Sequence, residues 1–86
     1  MSTRDKIERK CDELKSLLLS KNDAYGNAAL EPIGIFSQLE SGDSIKVRID
    51  DKLSRIQNRG VNDNTEDTVM DLAGYLILLM ISLGDE

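Results

Sequence analysis

Hydrophobic residues recur at helical spacing in three stretches of the chain. In the central stretch, Ile49, Leu53 and Ile56 stand at i, i+4 and i+7, which predicts a helix with one apolar stripe. An earlier stretch repeats this spacing, and Ser2 with Asp5 forms a possible capping box in front of it. The apolar positions of that first helix are Ile7, Cys11, Leu14 and Leu18. We expect it to end near Lys21 or Asn22, with Cys11 as a buried core thiol.

The last helical stretch, residues 68–83, is apolar on most sides. Gly74 lies in its middle and costs about 1 kcal/mol relative to alanine, which indicates close packing against another backbone. A helix that is apolar all round needs partners on every side. We therefore predict a dimer or higher homo-oligomer built around residues 72–83.

Turn-forming residues separate these helices. Glu31-Pro32 can open a short extra helix, and the polar run 41–44 is a break in which Asp43 or Ser44 can cap the central helix. Gly60 ends the central helix, and Asn64 can cap the last one. The predicted fold is all-α: three main helices and one short helix in a single domain, residues 1–86, completed as a bundle by self-association.

Composition narrows the classes of function. The single cysteine excludes an intrachain disulfide, and the chain has no histidine. A net charge of -5 argues against a general nucleic-acid binder, which needs a cationic surface. We find no secretory signal and no apolar run of about 20 residues, the length that spans a bilayer. The expected location is therefore the cytoplasm, with no membrane or nucleic-acid partner.

Charged residues also recur at helical spacing. Beside the apolar stripe of the central helix runs a cationic row, with Asp51 on the same polar side. The row consists of Arg48, Lys52, Arg55 and Arg59. Three carboxylates then repeat every four residues, and Tyr75 continues their face; they are Asp63, Asp67 and Asp71. The two rows either lock helices together as ion pairs or also receive an anionic ligand.

The segment from Lys21 to Asn27 contains several turn formers around Tyr25. Gly26 can adopt positive φ where the backbone bends. Tyr25 either folds onto the core at the end of the first helix or presents its ring for stacking on a base.

Three motifs together resemble a family of small, largely phage-borne proteins, the nucleotide modification associated domains. The motifs are Lys21-Asn-Asp-Ala-Tyr-Gly-Asn27, Val47-Arg-Ile-Asp-Asp-Lys-Leu-Ser-Arg-Ile56 and Glu66-Asp-Thr-Val-Met-Asp-Leu-Ala-Gly-Tyr75. The family looks related to the all-α, MazG-like nucleoside triphosphate pyrophosphatases. The resemblance implies a helical, oligomeric fold that handles nucleotides.

In the pyrophosphatases, carboxylates spaced three residues apart on neighbouring helices hold magnesium against the phosphates. Here the position three before Asp71 is Thr68, and the central helix offers only Asp50 and Asp51. The residues expected to hold a magnesium ion are therefore Asp51, Asp67 and Asp71. The residues expected to bind a ligand are Lys21, Tyr25, Asn27, Arg48, Lys52, Arg55 and Tyr75.

Three functions fit this sequence. The first is capture, without hydrolysis, of a nucleotide or nucleotide-derived signal, which in a phage protein would act as a sponge for a host defence signal. The second is a magnesium-dependent pyrophosphatase, in which Arg48, Lys52 or Arg55 stabilises phosphate charge. The third is a structural oligomer without a ligand. Binding fits best because it tolerates the departures from the metal motif.

Overall fold

The computed structural model describes residues 1–26, 30 and 40–84, and these residues form three α-helices. Helix α1 spans Thr3–Tyr25, α2 spans Ser41–Arg59 and α3 spans Thr68–Gly84. The described residues contain no strand, which confirms the all-α prediction. The predicted short helix at Glu31-Pro32 and the candidate ligand residue Asn27 lie outside the described residues. Completion of the bundle by further copies stays a prediction.

Helix α1 begins at the predicted capping box. The hydroxyl of Ser2 accepts a hydrogen bond from the amide of Asp5 at 3.1 Å, and the carboxylate of Asp5 accepts one from the amide of Ser2 at 3.3 Å. The helix runs about one turn further than predicted, to Tyr25. Polar turn formers lower helix propensity by only tenths of a kcal/mol each. The stop is instead supplied by Gly26, whose φ is 63°.

Helices α2 and α3 form an antiparallel pair. Helix α2 begins at Ser41, ahead of the predicted caps at Asp43 or Ser44. A tertiary contact accompanies this early start: a Cβ placed on Gly42 would lie 3.1 Å from the hydroxyl oxygen of Ser82. The first turn of α2 thus rests on the last turns of α3. Between these ends Ile45, at 1% exposure, is the buried hydrophobic residue of the described chain.

Helix α1 packs on another side of α3, through Gly74. A Cβ at this glycine would meet the Cδ2 of Leu18 at 3.1 Å and the Cδ1 of Leu14 at 3.8 Å. The close neighbour is therefore a side chain, not the second backbone that the sequence suggested. Helices α1 and α2 each pack against α3 in the described chain, but they do not pack against each other.

Much apolar surface is left uncovered within the described residues. Cys11, predicted as a core thiol, is exposed, because α3 covers only the part of α1 near Leu14 and Leu18. On α3, Met80 is 66% exposed and Leu83 is 74% exposed. No helix in this part of the chain is long and apolar enough to cross a bilayer.

Replacement of Gly74 by leucine is expected to separate α1 from α3. The new side chain would occupy the space of the Leu18 methyl, and such overpacking costs about 1–3 kcal/mol. Urea unfolding followed by circular dichroism measures this loss. Gly84→Leu is the control, since a Cβ at Gly84 meets nothing within 4 Å. Equal midpoints for the two variants would contradict the packing described for Gly74.

Candidate functional site

Six charged side chains meet where the C-terminal end of α1, the middle of α2 and the start of α3 come together. We call them the charged cluster. Its members are Lys21, Lys52, Arg55, Asp63, Glu66 and Asp71. The cations come from α1 and α2, whereas the carboxylates come from α3 and from the segment that joins it to α2. The cluster therefore ties all three helices together.

Asp71 links the two outer helices. Its Oδ2 accepts a hydrogen bond from the Nζ of Lys52 on α2 at 3.3 Å, and its Oδ1 lies 3.6 Å from the Nζ of Lys21 on α1. The Lys52 and Asp71 side chains are only 18% and 19% exposed, whereas that of Lys21 is 49% exposed. The Lys21 contact is longer than a hydrogen bond. Asp71 therefore holds Lys52 firmly and Lys21 loosely.

Glu66 joins the two cations of α2. Its Oε1 lies 2.9 Å from the Nζ of Lys52 and 3.2 Å from the Nε of Arg55. The hydrogen bond to Glu66, followed by that to Asp71, raises the pKa of Lys52 above its ordinary value, although partial burial opposes this. Glu66 was not among the predicted site residues, because the path of the segment before α3 could not be read from periodicity.

Asp63 is held by a tight turn in the same segment. Its Oδ1 accepts hydrogen bonds from the amide of Thr65 at 2.8 Å and from the hydroxyl of Thr65 at 2.6 Å. Its Oδ2 pairs with the Nε of Arg55 at 2.6 Å, and its side chain is 3% exposed. The hydroxyl and amide of Thr65, and then Arg55, hold the pKa of Asp63 far below its usual range. Asp63 is thus ionised at neutral pH and fixes Arg55.

The other members of the two predicted rows lie outside the cluster. Asp67 accepts a hydrogen bond from the amide of Met70 at 3.1 Å and so caps α3, a role that the sequence assigned to Asn64. Asp51 and Arg48 are exposed on α2. The described residues contain no group of three acidic side chains placed to hold a metal ion, so the structure does not bring Asp51, Asp67 and Asp71 together. The magnesium site stays a prediction.

The two tyrosines among the expected ligand-binding residues differ in exposure. Tyr25, one turn beyond Lys21, is 75% exposed at the end of α1. Tyr75, one turn beyond Asp71, is half-buried. Because α2 and α3 are antiparallel and Lys52 lies opposite Asp71, Arg48 stands at the same level of the pair as Tyr75.

Comparison of the chain with protein-family models, with curated proteins and with solved structures found no match. The resemblance to the nucleotide modification associated domains therefore stays a prediction, and function has to be argued from the geometry.

The charged cluster is balanced in charge, with three cations facing three carboxylates. Lys52 and Arg55 each have two carboxylate partners and are fixed in place. Lys21 has one distant partner in the described chain, and Arg48 adds a positive charge one turn from Lys52. Chemically, the arrangement can serve as a lock between helices, with Lys21 and Arg48 as the cations best able to turn toward an added anion.

Proposed function

We propose that this protein is a homo-oligomeric, cytoplasmic binding protein that captures a phosphate-bearing nucleotide without hydrolysing it. The observation that supports the proposal most is the meeting of Lys21 and Lys52 on the two oxygens of Asp71. These lysines belong to helices that do not pack against each other in the described chain. The ammonium groups therefore approach Asp71 from the two sides of a seam, the place on α3 where α1 and α2 lie next to each other without packing together.

A phosphate group fits such a seam because its several oxygens can accept from more than one cation at once. Lys52 is already oriented by Glu66 at 2.9 Å, so it loses little freedom when a phosphate binds. Lys21 is half exposed and 3.6 Å from Asp71, and it can exchange that contact for a phosphate oxygen at low cost. The ion pairs of the free protein thus prepare the site for an anion.

A nucleoside offers further contacts along the same seam. Arg48 lies one turn from Lys52, at the level of Tyr75, and its planar guanidinium can grip a second phosphate oxygen pair. Tyr25 exposes its ring one turn from Lys21 and can stack on a base. The proposed ligand therefore combines at least one phosphate with a base.

Capture without turnover follows from how the carboxylates are engaged. Asp63, Glu66 and Asp71 are each paired with a cation. A magnesium ion that used both oxygens of Asp63 or of Asp71 would have to displace Arg55 or Lys52. Nucleotide binding exchanges only the 3.6 Å contact of Lys21 with Asp71, whereas a metal on these carboxylates would break the shorter pairs of Lys52 or Arg55.

A phage origin, as the sequence resemblance implies, would give nucleotide binding a biological role. A protein that holds a nucleotide-derived signal of host defence would lower the free concentration of that signal. This extension rests on the proposed binding and on the resemblance together.

Removal of Lys21 or Arg48 is expected to weaken nucleotide binding while the fold stays intact. Each charge-assisted contact contributes about 1.5–3 kcal/mol, so Lys21→Ala and Arg48→Ala should each raise the Kd about 10- to 100-fold. Isothermal titration calorimetry against a panel of mono-, di- and cyclic nucleotides measures the effect. Background heats for the whole panel with the native chain would remove the binding proposal and leave a structural oligomer.

Arg4→Ala is the matched control for both variants. It deletes the same charge from α1, but at a side chain that is 88% exposed and about 25 Å along the helix from Lys21. Its Kd should equal that of the native chain. The bound nucleotide should also be recovered intact after incubation with magnesium, as measured by chromatography. Release of pyrophosphate would instead establish the MazG-like activity.

A further inference from the structure

The first half of α1 carries an apolar strip that nothing in the described chain covers. Ile7 is 58% exposed and Cys11 is exposed, although both continue the stripe that holds Leu14 and Leu18 against α3. The reason is geometric. Helix α1 is antiparallel to α3 with Leu18 opposite Gly74, so Ile7 falls level with the end of α3, and the exposure of Cys11 shows that α3 no longer covers α1 at that level. This strip is separate from the charged cluster.

A second copy of the chain presents the same uncovered strip, so two copies can cover it for each other.

The charges beside the strip indicate how a second copy lies. At about 100° per residue, Glu8 and Lys15 fall on the same flank of the strip that contains Ile7 and Cys11. They are two turns apart, about 10 Å along the axis, so they do not pair within one helix. Glu8 has an exposed partner in Arg4 at 3.7 Å, a contact of little energetic weight.

Antiparallel pairing of two identical helices brings this flank against itself. When Glu8 lies opposite Lys15 of the second copy, symmetry places Lys15 opposite Glu8 of that copy. The two-fold axis then passes between Cys11 and Asp12, so the two Cys11 side chains lie close together, whereas Ile7 falls level with Ser16 of the second copy. The contact between the two Cys11 side chains and the charge complementarity are therefore satisfied by one arrangement. In a parallel pair the two-fold axis runs along the helices and places this flank on opposite sides of the two copies, so Glu8 and Lys15 would not meet.

We propose that α1 pairs with α1 of a second copy, antiparallel and centred beside Cys11, with reciprocal Glu8–Lys15 ion pairs. This interface differs from the one expected around residues 72–83, and it does not depend on nucleotide binding.

Exchange of the charges at Glu8 and Lys15 tests this arrangement. Sedimentation equilibrium in the absence of nucleotide measures the dissociation constant of the dimer. Glu8→Lys and Lys15→Glu each turn two attractive contacts into two repulsive ones, so each should raise the dissociation constant about tenfold. The double variant recreates both pairs with their signs reversed and should return to within about twofold of the native chain. Circular dichroism confirms that each variant keeps its helix content. Unaltered association of the single variants, or a double variant as weak as either, would overturn the proposal.

Cys11 provides an independent test, since it is the only cysteine of the chain. Close to the two-fold axis, its thiol should form a disulfide with its counterpart under a mild oxidant, giving a covalent dimer on a non-reducing gel. The matched control carries Cys11→Ser and Arg9→Cys, which moves the thiol to the opposite face of α1. The control should cross-link at least about ten times more slowly. Equal rates would show that chains meet only by random collision.

Discussion

Ile45→Ala is expected to cost this protein more stability than any exposed apolar substitution. Ile45 is 1% exposed and is the buried hydrophobic residue of the described chain, at the point where the first turns of α2 meet α3. Truncation of a buried isoleucine to alanine costs about 2–5 kcal/mol, because the transfer free energy is lost and a cavity remains. The total free energy of unfolding of a domain of this size is roughly 5–10 kcal/mol. The variant should therefore lose a large fraction of its stability.

Val47→Ala is the matched control, two residues further along the same helix. Val47 is 50% exposed, so its truncation should change the free energy of unfolding by about 0.5 kcal/mol or less. Urea titration followed by circular dichroism compares the two variants. The m-value should stay constant if only stability changes. Midpoints that shift equally would show that the core is not centred on Ile45.

Asp63→Ala is expected to release the segment between α2 and α3. The variant removes both hydrogen bonds from Thr65 and the 2.6 Å contact with Arg55, which is left with Glu66 as its carboxylate partner in the described chain. Asp63 is 3% exposed, so water replaces these contacts poorly. We expect the Tm to fall by roughly 10 °C in a thermal scan.

The carboxylate of Asp63 should also make the stability of the fold depend on pH in the acidic range. Because the folded-state pKa of Asp63 is lowered, its contribution is fully present above the unfolded value of about 3.9 and is lost as pH falls toward the folded pKa. Asp63→Asn keeps an oxygen for Thr65 but cannot titrate. Its Tm should therefore decline less steeply than that of the native chain below about pH 5. Parallel profiles would assign the acid sensitivity to other carboxylates.

The sequence predicts what is local in this fold. The capping box of Ser2 and Asp5 needs only a spacing of three, and it forms as predicted. The contact between Lys52 and Asp71 was open to inference as well, since both belong to charged rows at helical spacing. Periodicity therefore identified helices and the faces that meet.

The features that the sequence did not predict depend on contacts between residues that are distant along the chain. The early start of helix α2 is accompanied by the contact of Gly42 with Ser82, which no local pattern contains. Glu66 was missed because the turn of Asp63 and Thr65 sets its position. Cys11 was predicted to be buried because it lies on the apolar stripe of α1. The stripe identifies a face that packs against something, but it does not tell which part of the molecule packs there, and in the described chain Cys11 is exposed.

The narrow attachment of α1 has a consequence for dynamics. Among the described helices α1 packs against α3 alone, and these contacts include the packing of Leu14 and Leu18 on Gly74 and the loose pair of Lys21 with Asp71. Helix α1 can therefore detach as a unit while α2 and α3 stay joined, and its amides should exchange with deuterium earlier than those around Ile45. Each such opening takes Lys21 away from Asp71, so the fluctuation that detaches α1 also sets what fraction of the time the proposed phosphate site is assembled.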